Sequence, residues 1–314
     1  MISEKSLILI SRKMGVKKEL LWFLIILVVA VLAVRISRRT HLPKETSQLE
    51  NIYHKDRKES VQLENINYID IMSKLNRDKI AFNDRTLIST VKKYYVQPPS
   101  MLPYNLSDPE IQNPSPGQTQ FIDEYLNQKR NGFYVDCGAF DGEHLSNSLF
   151  LERYRNWTGI LIEPNPTTYG LLRQKHRKAY SLNACLSTNK YPSLETFSTG
   201  KIHVLGKVLD DRYKMKKRAK NLIQVQCFPL YTILLAIGKM DIDYFSLDVE
   251  GAESGVLHTI PWDKLNIKMF SIEHNKWVGG KQHLKRYMDT KGYDFVKEIR
   301  VNVAPDFIFV RRKL

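Results

Sequence analysis

An apolar run, Phe133, Tyr134 and Val135, ends in Asp136 and a loop that carries Gly138, Ala139 and Gly142; a second run, Gly159-Ile-Leu-Ile, ends in Glu163. If both runs are neighbouring strands of a parallel sheet, the loop meets the charged tail of a ligand while the Glu163 carboxylate accepts hydrogen bonds from two ribose hydroxyls. A pyrophosphate fits this loop poorly: the spacing is Gly138-x-x-x-Gly142 rather than G-x-G-x-x-G, and the third close-packing glycine is missing. Asp136 suits a cationic aminoacyl group and would repel a diphosphate. The residues therefore point to S-adenosylmethionine rather than NAD as cofactor. Asp136, Gly138, Ala139, Gly142 and Glu163 would surround it, and Cys185 and Leu186, in the stretch Asn183–Ser187, would border the adenine. The competing reading is an ordinary strand–helix–strand unit with a tight turn and a solvated acid.

A third run, Asp243-Tyr-Phe-Ser-Leu, ends in the carboxylate-rich stretch Asp248-Val-Glu-Gly-Ala-Glu253. Methyl transfer is an in-line displacement in which alignment of donor and acceptor supplies most of the acceleration. What remains is removal of the acceptor's proton, and Asp248, Glu250 and His274 are the candidates for a general base toward a hydroxyl. Glu250 and Glu253 equally suit capping of a turn and a helix start after Gly251. The run lacks the Asn/Asp-Pro-Pro-Tyr/Phe sequence of many nucleobase amino-group methyltransferases, so an oxygen acceptor is favoured. Three scattered cysteines, Cys137, Cys185 and Cys227, suit neither a disulfide framework nor a metal site and read as core thiols.

The elements that must position these groups alternate. Strands are expected near Phe133–Asp136, Gly159–Glu163, Tyr180–Cys185, Tyr244–Asp248 and Met269–Glu273, followed by a hairpin of Phe295–Ile299 and Asp306–Val310. Alternation with helices predicts an α/β, doubly wound, Rossmann-like sheet with right-handed crossovers. Ligands in such sheets bind beyond the C-terminal strand ends, which gathers Asp136, Glu163, Cys185, Asp248 and Glu273 on one rim.

Val135-Asp-Cys-Gly-Ala-x-Asp-Gly142, Glu163-Pro-Asn-Pro166 and Asp248-Val-Glu-Gly-Ala-Glu253 resemble the FkbM-type methyltransferase domain. Pro98-Pro-Ser100, Pro103-Tyr-Asn-Leu106, Ser115-Pro-Gly-Gln118, Leu145-Ser-Asn147 and Asn183-Ala-Cys-Leu-Ser187 are similar to one branch, the arthropod Star-like membrane proteins. The resemblance covers about Tyr94–Leu314. It implies a class I methyltransferase fold, with the C-terminal antiparallel hairpin, over 118–314. For the Star-like branch it implies a single-pass protein of the endoplasmic reticulum, Golgi apparatus, late endosome and plasma membrane that helps export growth-factor precursors, with a secretory cargo protein as partner.

With 43% hydrophobic and 26% charged residues over 314 positions, the chain can build one substantial core and is not disordered. Residues 20–34 contain no polar side chain. As a helix they span about 22 Å against a hydrocarbon core of about 30 Å, so Ile36 and the stems of Lys18 and Arg35 must extend the run. The reading is a basic cytosolic tail (1–19), a transmembrane signal anchor (20–36), a helical stem (37–96) and a Pro-rich linker (97–117); a cleaved signal peptide is the rival for the apolar run. Flanking charges are nearly tied, and the sequons Asn105-Leu-Ser107 and Asn156-Trp-Thr158 favour a luminal C-terminal part. In the stem, Gln48-Leu-Glu-Asn-Ile52 recurs as Gln62-Leu-Glu-Asn-Ile66, but Asp56 and Glu59 argue against a sustained coiled coil. The linker either lies over the cofactor cleft or is a plain surface strap. The net charge of +15 and the run Arg212–Lys220 invite nucleic acid as partner, which a luminal domain would not meet; a glycan or lipid acceptor, an acidic segment or simple solvation fits better.

Overall fold

The computed structural model describes residues 68–199, 207–208, 221–300 and 305–312, all within one compact unit, Tyr68–Leu314. The apolar run at 20–36, the repeated stem segment, the basic run at 212–220 and most of the turn before Pro305 lie outside the described residues. Among those described, no helix is long and apolar enough to cross a membrane.

Five parallel strands form the centre of an eight-stranded sheet: β4 (Tyr180–Leu182), β3 (Thr158–Ile162), β2 (Phe133–Cys137), β9 (Asp241–Leu247) and β10 (Asn266–Glu273), in that order. The antiparallel pair β12 (Asp306–Arg311) and β11 (Tyr293–Ile299) closes one edge, and β1 (Val96–Gln97) pairs antiparallel with β4 at the other. The strands are apolar on both faces because both are covered. Val135, Ile160, Ile162, Phe245, Leu247, Phe270 and Ile272 pack to one side, and Tyr134, Leu161, Tyr244, Met269 and Ile308 to the other. Helices α4 (Leu149–Arg155), α5 (Pro166–Gln174), α6 (Leu230–Ile237), α7 (Glu253–Thr259) and α8 (Gly280–Thr290) connect the strands. Asn165 caps α5 by accepting from the Thr167 amide, with Pro166 at the first helical position; Gly238, at φ 68°, ends α6. The result is the mixed α/β Rossmann-like sheet with an antiparallel terminal pair that the alternation of elements predicts.

Before the sheet, α1 (68–77) and α2 (Arg85–Thr90), which continues into a π-helical turn at Val91–Tyr95, bury Met72, Leu75, Leu87 and Val91 in the main core. Residues 68–97 are therefore part of the same unit as the sheet. After Gln97 the Pro-rich segment runs along the molecule to α3 (Gln118–Tyr125) through named bonds: Ser100 and Asn105 amides to the Arg177 and Lys175 carbonyls, and the Arg153 guanidinium to the Pro109 and Ile111 carbonyls.

Two expectations need correction. The run predicted as one strand, Tyr180–Cys185, breaks: β4 stays in the main sheet while β5 (Cys185–Leu186) leaves it for a second sheet, ordered β5, β8 (Leu222–Phe228), β6 (Ser193–Ser198), β7 (Lys207–Val208). Cys185 and Cys227, expected as core thiols, are bonded to each other across the β5–β8 register pair. Only Cys137 remains a buried free thiol. The break has a physical cause, since a strand cannot continue along β3 while its next residues pair with β8 and are stapled to it.

A buried charged network holds the glycine loop to the sheet. Arg177, 3% exposed, meets the Glu152 carboxylate at 3.1 Å and donates to the Gly142 carbonyl, Ser146 Oγ, Ser148 Oγ and Tyr134 Oη. Tyr134 Oη donates to Glu152, and Ser148 Oγ donates to Asp136 at 2.5 Å. A buried ion pair adds little net stability when intact, but losing one partner strands a charge. Glu152→Ala is expected to lower stability by about 3–5 kcal/mol in chemical denaturation of the full chain. Glu152→Gln, which keeps acceptor and donor atoms, is expected to cost less.

Candidate cofactor and acceptor site

The five central parallel strands point their C-terminal ends to one rim, and register decides which side chains meet there. Asp136, Ser246 and Ser271 are neighbours across β2, β9 and β10 and share one face. Two residues further along the same face come Asp248 and Glu273, and Glu273 is paired with Asp306 at the start of antiparallel β12. Glu253, in the first turn of α7, joins them by accepting the Val249 and Gly251 amides on Oε1. One oxygen each of Asp248, Glu253 and Glu273 lies within 4.8 Å of the other two.

Burial raises the proton affinity of the whole group. Desolvation pushes Asp136 up to about 6 and Glu253 and Asp306 each up to about 7. Asp248 and Glu273 also rise, first through burial; for Glu273 the charges of Asp248, Glu253 and Asp306 add to the effect. Donors hold the periphery: Gln118 Nε2 bonds Asp306 at 2.9 Å, and Ser148 bonds Asp136.

The loop after β2 is fitted tightly to this rim. Gly138, at φ 81°, faces the Asp248 carbonyl so closely that any side chain would collide with it. Its amide and that of Ala139 donate to the Ile162 carbonyl, drawing the loop onto the end of β3. Gly142, at φ 77°, lies against Leu172 and presents its carbonyl to Arg177.

Glu163, 6% exposed, accepts from the Phe140 amide on one oxygen and from the Asn165 amide and Thr168 Oγ1 on the other, at 2.8–2.9 Å. Burial pushes it up to about 7 against these bonds. A carboxylate has about four acceptor positions, so three are engaged by the chain and one remains. Asn183 Nδ2 donates to the Glu163 and Pro164 carbonyls. Beside them opens a cleft of about 350 Å³ lined by Pro164, Pro166, Asn183, Tyr95 and residues of α1 and β8. It borders the backbone that follows Glu163, although the Glu163 carboxylate does not line it.

Not every residue singled out from the sequence comes to the rim. Glu250, at φ 58°, pairs with Lys276 beside the carboxylate group. His274 turns to the other side of the sheet, 4.0 Å from the Phe307 ring and 3.2 Å from Glu298, and its burial lowers its proton affinity. Cys185 and Leu186 are buried in the second sheet, Cys185 through its disulfide, and Asn183 is the residue of that run in contact with the Glu163 backbone. Four participants were missed. Arg177 sits in the basic stretch Lys175-His-Arg-Lys178, which reads as solvated, and Glu152 and Gln118 occupy helical positions that read as polar surface. Asp306 did carry a signal: it is a lone acid opening an apolar strand.

The linker ends at the site. Glu143, 6% exposed, accepts the Ser107 and Asp108 amides and the Lys175 ammonium, which hold it below the usual carboxylate range despite its burial. Ser115 Oγ bonds Asn147, whose amide reaches Ser246. The segment is thus fastened to both the glycine loop and Asp306.

No curated protein matches the sequence. Solved structures with a similar course include a TehB-like SAM-dependent methyltransferase from Corynebacterium glutamicum (12% identity, 62% of this chain and 88% of that one, TM-score 0.34). A Burkholderia thailandensis 1,6-didemethyltoxoflavin-N1-methyltransferase with bound S-adenosylhomocysteine matches at 11% identity (65% and 80% coverage, TM-score 0.34). The human methyltransferase 10 domain containing protein matches at 8% (71% and 92%, TM-score 0.37). Residues 136–301, more than half of the chain and spanning the glycine loop, Glu163 and the Asp248–Glu253 stretch, match the methyltransferase FkbM domain. The chain belongs to the methyltransferase FkbM domain family.

Proposed function

We propose that this protein is a membrane-anchored, S-adenosylmethionine-dependent O-methyltransferase of the secretory pathway, acting on a hydroxyl of a glycan, lipid or protein acceptor. The observation that carries the reading is the convergence, on one rim, of a side-chain-free loop at Gly138, the strand-end carboxylate Glu163 and a second carboxylate group around Asp248. The residues fit the cofactor: the loop backbone at Gly138 and Gly142 permits close approach, Glu163 keeps one acceptor position for a ribose hydroxyl, and Asn183 and Pro164 border the cleft on the adenine side. When bound, S-adenosylmethionine supplies an electrophilic methyl group. The chain's own part is to align the acceptor and take its proton. Asp248 stands at the rim for the second task, where burial raises its proton affinity above the ordinary carboxylate range, which suits a general base. Glu250 and His274, engaged by Lys276 and Phe307, take no such role in this reading.

Placement in the lumen has its own support. The Cys185–Cys227 bond is of a kind that persists in oxidising compartments, and both sequon asparagines, Asn105 and Asn156, are exposed. A second reading draws on Glu163. With three of its acceptor positions already taken by the chain, the carboxylate can serve as an internal brace, and the protein would then be a non-catalytic trafficking factor for growth-factor precursors that keeps the fold.

Isothermal titration of the full chain with S-adenosylmethionine separates the two. Wild type is expected to release heat, and Glu163→Ala to weaken binding at least about tenfold, since a charged hydrogen bond contributes about 1.5–3 kcal/mol. Absent or equal heat in both favours the brace. Because burial pushes Glu163 up to about 7 and only its ionised form keeps the remaining position as an acceptor for a ribose hydroxyl, affinity is expected to rise from about pH 6 to about pH 8 in wild type, whereas Glu163→Gln should lack this rise. For sidedness, glycosidase treatment of protein made in secretory cells should shift its mobility, with Asn105→Gln and Asn156→Gln each removing part of the shift; an unshifted wild type contradicts a luminal domain.

A further inference from the structure

Glu273 is 2% exposed, and its Oε2 has no hydrogen-bond partner. Glu273 also shares a side-chain hydrogen bond with Asp248, but a buried carboxylate oxygen left bare costs more than a typical hydrogen bond returns, so Oε2 calls for a further partner. The nearby donors are already used: Gln118 bonds Asp306, Ser148 bonds Asp136, and the Val249 and Gly251 amides bond Glu253. The Lys276 ammonium is shared with Glu250, so it offsets at most part of the charge of three converging carboxylates.

We propose that Asp248, Glu253 and Glu273 form a binding site for a hard, oxygen-seeking divalent cation of the Mg²⁺ or Mn²⁺ type at the ends of β9 and β10. Each residue offers one oxygen, and these lie within 4.8 Å of one another. Oxygen ligands about 2.0–2.6 Å from a shared ion lie no more than about 5 Å apart, so the side chains need little movement to close on it. The donor set contains carboxylates only, without sulfur or imidazole, which selects magnesium, manganese or calcium over zinc or copper. The backbone arrangement holds the geometry: Glu273 is paired in register with Asp306, Asp248 follows the Leu247–Ile272 pair, and Glu253 is fixed by two amides that donate to its Oε1. Three carboxylates leave further coordination positions for water or an acceptor. With Asp248 engaged as a ligand, a hydroxyl bound there would become more acidic and pass its proton to solvent instead of to Asp248, a role that rests on the methyl-transfer reading, whereas cation binding itself does not.

The test uses the full chain stripped with a chelator and titrated with Mn²⁺, free Mn²⁺ being followed by electron paramagnetic resonance. Wild type is expected to take up one Mn²⁺, displaceable by Mg²⁺. Glu273→Gln is expected to weaken uptake at least about tenfold, and Glu124→Gln, on an exposed helix face, to leave it unchanged. Glu273→Gln should also unfold in chelator at a temperature no lower than wild type, since the amide matches the carboxyl in shape and carries no charge beside Asp248 and Glu253; if it does not fold, Asp248→Asn serves for the same comparison. A wild type that takes up no Mn²⁺, or a variant that binds it equally, overturns the proposal. Titration with S-adenosylmethionine in chelator is read separately, so loss of the cation site and loss of cofactor binding are told apart.

Discussion

Register in the central sheet forces acidic side chains together, and much of the structure can be understood as a response to that constraint. Once β9 and β10 are aligned by Leu247 and Ile272, and β12 is laid antiparallel with Asp306 against Glu273, three carboxylates face the same side at the same height. Burial then makes ionisation costly for each and raises its proton affinity. A one-residue slip would move all of them to the opposite face, but it would also turn Phe245, Phe270 and Phe309 out of the main core, so hydrophobic packing fixes the arrangement that electrostatics opposes.

The glycine loop after β2 is held by the same logic in reverse. Arg177 places one buried cation among Glu152, Tyr134, Ser148 and the Gly142 carbonyl, so that the loop's far end is bonded to a rigid group while its near end rests on the Asp248 carbonyl through Gly138. The Pro-rich segment extends this brace. From the Arg177 carbonyl through Glu143 to Gln118 at Asp306, it links the cofactor side of the rim to the carboxylate side.

Much of this was legible in the sequence because it depends on local pattern. Continuous apolar runs ending in Asp136, Glu163, Asp248 and Glu273 marked the strand ends, and Gly138 marked a position where only backbone fits. What depended on long-range pairing was not legible. Ser193–Ser198 buries only Phe197, too weak a pattern to announce β6, and the partnership of Cys185 with Cys227 follows from two strands whose adjacency no local feature reveals. Arg177 and Glu152 carry charges that read as surface until the fold encloses them. His274 failed as a candidate for a simple reason: it follows Glu273, and successive residues along a strand face opposite sides.

The account rests on a nucleoside cofactor seated where β2 and β3 end. A crystal structure of the full chain grown with S-adenosylhomocysteine tests this most directly. It should place a ribose hydroxyl at the Glu163 carboxylate, the amino-acid tail along the Gly138–Gly142 loop and the adenine beside Asn183. A nucleoside bound elsewhere, or an unliganded rim at saturating concentration with Glu163 still bonded to Phe140, Asn165 and Thr168, would contradict it.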